Sequence, residues 1–384
     1  MRGHIIKRYK DSYSIVLNLG IDPSTGKRKQ QWVSVKGTKK EAEKRLSELL
    51  HQLDNGIIMK PNKTTVKEFL ERWLKDYQPN LSPRGYERYQ GIIMRHLIPK
   101  LGNIALTQLK PEHLQKHYTM IQSSGLSPRT VRYHHAVIHV ALKTAVRWGL
   151  LARNPADAVT VPRVRRNEMQ TWSEYEVEQF LNAAKVSPYY ALFYTALFTG
   201  MRRSELLGLK WEDIDLLLGQ IYVSRGLHQL KDGTYIFTEP KSAKSRRMIA
   251  LPPSAILLLK EHYEKQALDR IMMDKPLHES DLVFGTPEGK PLRPNTVTRA
   301  WESLAGHSGL KVIRLHDARH THASIMLKQG IHPKIVQERL GHSSIQMTLD
   351  TYSHVTPSLQ EAAAARFDEV LTARCKETET GKTR

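Results

Sequence analysis

The chain has 384 residues, enough for two or three domains with hydrophobic cores of their own. Its 59 Lys and Arg against 38 Asp and Glu give a net charge of +21, which predicts a polyanionic partner and an affinity that falls with salt. The single cysteine, Cys375, excludes an intrachain disulfide, and no apolar run is long enough for a signal peptide or a membrane span. We therefore expect a soluble protein of a reducing cytosol, although the charge alone would also suit a ribosomal protein or one bound to an anionic membrane.

Residues 1–60 predict a small β-rich module. Three short strands are expected at 5–9, 12–19 and 29–35, because apolar and β-branched residues alternate there between turn signals. A helix should begin after Thr38, whose side chain forms a capping box with Glu41, and end at Asn55-Gly56. The module is strongly basic, which suits contact with a polyanion.

Residues 62–160 predict a helical bundle. Thr65 precedes an apolar pattern of helical spacing, and Ser82-Pro83 and Ser127-Pro128 each place a capping serine before a proline suited to a first helical turn. Helices should begin near 83, 111 and 128, and the last should close at Trp148-Gly149. A basic, extended linker is expected over 156–171.

A mixed α/β domain should begin at Thr171. Ser173 and Glu176 predict another capping box, and a helix over 188–199 leads to Gly200. We expect strands near 219–224, 233–238 and 246–251 to form one small sheet, with Lys241 in the hairpin between the last two. Further helices are predicted at 252–272, 294–305, 317–329, 333–340, 344–353 and 358–371, followed by a disordered tail over 372–384. The predicted class is multidomain α+β.

The last third of the chain carries an ordered set of polar residues. The set comprises Arg202 after Gly200, Lys241 after Pro240, the His316-Asp317-Ala318-Arg319 run, His342 after Gly341, and Tyr352. A tyrosine hydroxyl can hold a cleaved DNA phosphate as an ester, and guanidinium groups can bind the non-bridging oxygens of the transition state. An imidazole can accept the tyrosine proton, and a lysine can protonate the departing deoxyribose oxygen. This chemistry needs no metal.

Order, spacing and local sequence together resemble the catalytic constellation of the tyrosine recombinases, the family of phage integrases. The resemblance implies that Arg202 and Arg319 hold the scissile phosphate, that Tyr352 is the nucleophile, and that His316 is the acid–base group near it. It further implies that His342 bonds the phosphate or the nucleophile. Lys241 would be the acid for the leaving group, with Lys244 as the alternative. Glu205 would orient Arg202, whereas Arg203 would point elsewhere.

The resemblance also implies how DNA is bound. The strands of residues 1–60 would form an arm-type DNA-binding domain that lies in the major groove, and 62–160 a core-binding domain that grips one face of the duplex. The expected contacts are basic residues of the first domain, the second domain and the linker: Lys7, Arg8, Lys10, Lys27, Arg28, Lys29, Arg129, Arg132, Lys143, Arg147, Arg163, Arg165 and Arg166. For each of them a solvated surface, without DNA contact, is the alternative.

The histidines could instead suggest a metal site formed by His316, His320 and His322 with His342 or His354. His320 and His322 lie two apart on a predicted helix and so do not share a face, and no cysteine or paired carboxylate completes a set. We expect no metal and no cofactor. The helix over 358–371 would pack within the chain or dock on a neighbouring protomer, as C-terminal helices often do in the family.

The sequence thus predicts a site-specific recombinase that integrates and excises a prophage or an integrative conjugative element. It would act as a homotetramer on double-stranded attachment sites, through a 3′-phosphotyrosyl link and a four-way junction, associated with the bacterial nucleoid. An excisionase-type directionality factor and a host DNA-bending protein are the expected accessory partners. The alternatives are a DNA-binding regulator on an inactive recombinase scaffold, a type IB topoisomerase and a chromosome-dimer resolvase.

Overall fold

The computed structural model describes residues 3–21, 28–54, 64–164, 169–239, 246–352, 364–365 and 367–368. The chain separates into two compact units, residues 1–166 and 167–384. Unit 1 holds two separate hydrophobic clusters, one in the N-terminal sheet and one in the helices that follow. Within the described ranges, no helix has the length and apolar character needed to cross a membrane.

The N-terminal part of unit 1 is an antiparallel sheet of three strands with one helix against it. The strands are β1 (Gly3–Tyr9), β2 (Ser12–Ile21) and β3 (Arg28–Lys36), in the order β1-β2-β3, and the helix is α1 (Lys39–Asp54). Ile15 and Leu17 of the central strand pack with Leu49 of the helix. The capping box is present, since the Thr38 amide donates to Glu41 Oε2 at 2.7 Å. The predicted strands are confirmed, and Asn55-Gly56 lies outside the described residues.

The rest of unit 1 is helical, as predicted. Its helices are α2 (Val66–Tyr77), α3 (Pro83–Ile92), α4 (Ile98–Leu101), α5 (Pro111–Ser123) and α6 (Pro128–Arg147), with a π-helical segment over Ile93–Leu97. Thr65 and Glu68 form a capping box at α2. The serines before Pro83 and Pro128 cap α3 and α6 as their sequence context predicted. Trp73 is fully buried at the centre of the bundle.

Unit 2 is a mixed domain with a helical core. Its helices are α7 (Glu174–Ala184), α8 (Tyr190–Thr199), α9 (Arg203–Leu207), α10 (Pro253–Ile271), α11 (Pro294–His307), α12 (Asp317–Lys328), α13 (Pro333–Leu340) and α14 (Ile345–Tyr352). Trp301 is fully buried against Phe180 and Phe193, with ring centroids 4.3 and 5.3 Å away. Of the predicted segment 358–371, the described residues 364–365 and 367–368 are helical, and the remainder lies outside the described ranges.

The strands of unit 2 pair differently from the single sheet that was predicted. β4 (Ile214–Asp215), β5 (Gln220–Val223) and β8 (Arg247–Ala250) form one antiparallel sheet, and β6 (Gly226–Gln229) pairs with β7 (Tyr235–Thr238) in a separate hairpin. The prediction that β7 and β8 form a hairpin around Lys241 is therefore wrong. The reason is a tight turn at Asp232-Gly233, where Gly233 has φ +92° and the Thr234 amide donates to Asp232 Oδ1 at 2.9 Å.

Three histidine rings meet inside the helical bundle of unit 1. The His134 ring lies 4.7 Å from that of His96 and 5.8 Å from that of His117, between ring centroids. His117 and His134 are buried, and neither His117 nitrogen has a hydrogen-bond partner. Desolvation first, and the neighbouring His96 next, lower the pKa of both buried histidines from 6.5 to about 4. The bundle therefore holds them as neutral side chains.

We expect unit 1 to lose stability in mild acid because of these two histidines. The pKa of each histidine is lower in the folded than in the unfolded chain. The free energy of unfolding is therefore highest above pH 6.5 and decreases as the pH falls toward 4. The loss should be on the order of 2 kcal/mol or more at the acid end of that window. Hydrogen exchange of amides in α5 and α6, corrected for the intrinsic effect of pH, measures it.

The double variant His117→Leu with His134→Leu should flatten this pH dependence. His139→Gln is the matched control, because His139 lies at the surface of the same helix and bonds Asp157 at 2.8 Å. An equal acid-induced loss of protection in the double variant and the wild-type chain would show that other groups are responsible.

Candidate active site

Two helices of unit 2 end at glycines that lie close together. α8 ends at Gly200 with φ +63°, and α13 ends at Gly341 with φ +65°, a left-handed conformation that glycine adopts without strain. A Cβ atom at position 200 would lie 2.7 Å from Leu340 Cδ2 and 2.8 Å from His322 Cδ2. No larger residue fits there, so glycine permits this close approach of the two helix ends. The backbone carbonyls at such ends carry partial negative charge and attract cations.

Arg319 joins the two helix ends. Its side chain is buried, and its Nη1 donates to the Gly200 carbonyl at 2.9 Å while its Nη2 donates to the Leu340 carbonyl at 2.6 Å. α12 supplies this arginine from its first turn, two residues after Asp317. The guanidinium is thus held in one orientation by two carbonyls that come from different helices.

Arg202 also donates to the end of α13. It occupies the N-cap of α9, its Nη1 donates to Glu205 Oε1 at 2.6 Å, and its Nη2 donates to the Gly341 carbonyl at 3.3 Å. About a third of the Arg202 side chain remains exposed. The two arginines expected to hold a phosphate therefore bond to adjacent carbonyls, those of Leu340 and Gly341, which brings the two guanidinium groups to the same helix end. Glu205, the residue expected to orient Arg202, forms an ion pair with it.

Sequence reasoning missed two further arginines of this site. Arg247 is buried and donates from Nη1 and Nη2 to the two carboxylate oxygens of Glu205, at 3.2 and 2.9 Å. Arg339 donates to the Phe198 and Ala250 carbonyls and, from Nε, to the His322 ring at 3.0 Å. Strand parity could have indicated Arg247, because it lies on the same face of β8 as the buried Ile249. Arg339 gave no such signal.

The arginine cluster, defined as Arg202, Arg247, Arg319 and Arg339, brings four guanidinium groups together around the carboxylate of Glu205 and the end of α13. Burial opposes ionisation of Glu205, but Arg247 and Arg202 outweigh it and lower the pKa of this carboxyl to about 2. Glu205 is therefore a carboxylate shared by two guanidinium groups. Arg319 donates to the Gly200 and Leu340 carbonyls, and Arg339 donates to the Phe198 and Ala250 carbonyls and to the His322 ring. A group of fixed guanidinium cations of this kind suits a bound anion with several oxygens.

The histidines around the cluster are held neutral. Desolvation, followed by Arg319 and Arg202, lowers the pKa of the buried His342 to about 3. His342 Nδ1 lies 2.9 Å from Thr348 Oγ1, a bond that fixes the ring. Desolvation and then Arg319 also lower the pKa of His316, although this residue is exposed to solvent. A neutral imidazole can accept a proton, so the site is poised for general-base chemistry near neutral pH.

His320 and His322 have separate environments. The His316 and His320 rings are perpendicular, with centroids 5.3 Å apart, and desolvation with His316 lowers the pKa of His320 to about 4. His322 Nδ1 lies 2.9 Å from the Leu197 carbonyl and so donates to it, which leaves Nε2 to accept from Arg339. His322 is thus a buried packing group. Within the described ranges no group of three His, Cys, Asp or Glu is arranged to hold a metal ion.

The remaining predicted catalytic residues are only partly described. Lys241 and its alternative Lys244 lie outside the described residues, as does His354. Tyr352 ends α14, and its side chain is not described. Its backbone position lies one helical turn beyond Thr348, and residues four apart share a helix face. Position 352 is therefore on the face that Thr348 presents to His342. Arg203 donates to Thr298 Oγ1 at 2.6 Å and so points to α11.

The basic residues expected to contact DNA lie at the surface of unit 1 wherever they are described. Arg8 of β1 stacks over the exposed Trp32 ring at 5.4 Å. The exposed residues of the set are Lys7, Arg8, Lys10, Arg129, Arg132, Lys143, Arg147 and Arg163. Four of these residues belong to α6 and share one face of that helix: Arg129, Arg132, Lys143 and Arg147. The side chains of Lys27, Arg28, Lys29, Arg165 and Arg166 lie outside the described residues.

Comparison with known proteins places this site in a family. The profile described as "Phage integrase family" matches residues 170–358, and that described as "Phage integrase, N-terminal SAM-like domain" matches residues 65–120. The chain is 27% identical to the "Tyrosine recombinase XerC-like" protein of Caldanaerobacter subterraneus subsp. tengcongensis, over 95% of this chain and 98% of the relative. It is also 27% identical to the ICEBs1 integrase of Bacillus subtilis, over 94% of this chain and 97% of that protein.

A solved structure shares the fold. The Tn1549 transposon integrase in complex with a circular intermediate DNA superposes with a TM-score of 0.67 and 23% identity, covering 79% of this chain and 99% of the other. This likeness agrees with the predicted α+β class. The matched profiles and relatives extend over the elements that build the arginine cluster, and they confirm the resemblance seen in the sequence. The chain belongs to the phage integrase family, whose members are tyrosine recombinases.

Proposed function

We propose that this protein is a site-specific tyrosine recombinase that integrates and excises a mobile element, a prophage or an integrative conjugative element. The observation that carries the proposal is the pair of guanidinium groups of Arg202 and Arg319 on adjacent carbonyls, with His342 next in the chain. Two neighbouring guanidinium groups can bind the non-bridging oxygens of a phosphodiester, on which negative charge increases in the transition state. The relatives named as integrases of ICEBs1 and Tn1549 support a mobile element as the substrate.

The proposed chemistry is a reversible transesterification. The Tyr352 hydroxyl attacks a DNA phosphorus while Arg202 and Arg319 stabilise the charge on the non-bridging oxygens. The bond from the tyrosine oxygen to phosphorus forms, and the bond from phosphorus to the 5′ oxygen breaks. The phenolic proton passes to His316, and Lys241 protonates the departing 5′ oxygen. The products are a 3′-phosphotyrosyl link and a free 5′-hydroxyl, which can attack another such link because the ester keeps the energy of the broken bond.

The same chemistry sets the assembly that we propose. Two duplexes contain four strands, and each chain supplies one Tyr352, so a full exchange through a four-way junction needs a homotetramer. Residues 1–60 would bind arm sequences, 62–160 and 171–371 would enclose the core sequence, and 372–384 would form a tail. Binding two separated sequences on one DNA requires bending, which is the reason to expect a host DNA-bending protein and an excisionase-type factor. Such a protein would act in the cytoplasm, on the nucleoid.

The first prediction concerns the nucleophile. Purified full-length protein, mixed in chelator with nicked DNA that carries the element's ends, should form a covalent adduct that migrates slowly in a denaturing gel. Tyr352→Phe should abolish the adduct while DNA binding remains, because only the attacking oxygen is lost. Tyr175→Phe is the control, since Tyr175 is an exposed tyrosine of α7 in the same unit.

The outcome also separates this function from that of a DNA-binding regulator. Tight, specific binding without an adduct on any candidate end would contradict the recombinase and favour the regulator. An adduct that persists in Tyr352→Phe would show that another residue is the nucleophile.

The second prediction compares two neighbouring arginines. Arg202→Lys should slow adduct formation by about 10²–10³-fold, because a lysine keeps the charge but loses the planar fork that stabilises the transition state. Arg203→Lys is the matched control and should stay close to the wild-type rate, because Arg203 bonds Thr298 in α11. Single-turnover rates on the nicked substrate measure both. Equal losses in the two variants would contradict the assignment of Arg202 to the phosphate.

A further inference from the structure

Arg247 occupies a place in the site that the proposed chemistry does not use. It is the first residue of β8, its side chain is only 5% exposed, and it lies behind Glu205. Both of its Nη atoms donate to Glu205, while its Nε donates to the Arg339 carbonyl at 2.6 Å. A guanidinium with these bonds reaches three acceptor oxygens of two groups at once through its planar fork. An ammonium group, as a point donor on a flexible stem, cannot reproduce that geometry.

Both partners of Arg247 support Arg202. Glu205 Oε1 accepts from Arg202 Nη1, and Glu205 Oε2 accepts from the Arg202 backbone amide at 2.9 Å. The Arg339 carbonyl belongs to the last turn of α13, directly before the Leu340 and Gly341 carbonyls that hold Arg319 and Arg202. Arg247 therefore fixes the carboxylate on one side of the Arg202 guanidinium and the helix end on the other.

Arg247 also affects how much charge Arg202 can offer. If Arg202 were the single partner of Glu205, the two side chains would form a closed ion pair and the carboxylate would cancel the field of the guanidinium. Arg247 brings a second positive charge to the same carboxylate, so that two guanidinium groups face one carboxylate. The exposed part of Arg202 then keeps a net positive field for an anion.

We propose that Arg247 is a positioning residue for Arg202, acting through Glu205 and the Arg339 carbonyl, and that it must be an arginine to do so. The inference rests on the proposed function, because its consequence is seen in the rate at which a DNA phosphate is attacked. It predicts a loss of rate without a matching loss of DNA affinity. It further predicts that the loss depends on the presence of Arg202.

The test is a double-mutant cycle in the full-length chain. Arg247→Lys alone should slow adduct formation by about 10–100-fold, as is typical when a group that orients an active-site residue is changed, while the affinity for the same DNA stays close to wild type. The combined Arg202→Lys and Arg247→Lys variant should be no slower than Arg202→Lys, because Arg247 acts through the group already lost. Arg246→Lys is the matched control, since Arg246 is its exposed neighbour and pairs with Glu239.

Each result decides the matter. The inference would be overturned if the double variant lost rate by the product of the two single losses, or if Arg247→Lys formed adduct at the wild-type rate. Either result would leave the proposed function intact. Absence of any adduct with the wild-type chain would overturn both. If Arg247→Lys does not fold, Glu205→Asp replaces it in the cycle, because the shorter carboxylate keeps its charge but cannot reach both arginines. It should show the same loss and the same dependence on Arg202.

Discussion

The candidate active site of this recombinase depends on hydrogen bonds from arginine side chains to the carbonyl ends of helices. α8 and α13 stop at Gly200 and Gly341, and each exposes carbonyls that the helix itself leaves without a partner. Arg319 fills two of these positions and Arg202 a third. The guanidinium groups gain fixed orientations, and the helix ends gain donors. A larger residue at position 200 would meet Leu340 and His322 and would push apart the two helix ends that Arg319 joins.

This arrangement explains why the site can be strongly cationic before any DNA is bound. Backbone carbonyls orient a guanidinium without cancelling its full charge, whereas a carboxylate would do both. Glu205 is shared between Arg202 and Arg247, so two positive charges face one negative charge. The same positive field, together with burial, keeps His342 neutral, with a pKa near 3. A phosphate that enters would offset part of this field and would raise the pKa of the nearby imidazoles.

Local signals in the sequence predicted the helices well, and distant contacts explain most of what was missed. The Thr-x-x-Glu box at Thr65 and the Ser-Pro pairs at 82–83 and 127–128 act within a few residues, and the helices begin where they indicate. Strand pairing depends on partners far along the chain, and the tight turn at Asp232-Gly233 was overlooked, so one sheet was expected where there are two. Arg247 contacts a carbonyl 92 residues away, a link that no local pattern encodes.

The residues proposed to bind the phosphate and the residue proposed as the nucleophile lie on different elements of unit 2. The described bonds that orient Arg202 and Arg319 join residues 200–205 and 339–341, with support from Arg247. The proposed phosphate-binding arginines are therefore held by α8, α9, α12, α13 and β8. α14 meets this part of the site through the bond between Thr348 and His342. A movement of α14 would therefore displace the proposed nucleophile, Tyr352, without breaking the described bonds of Arg202 and Arg319.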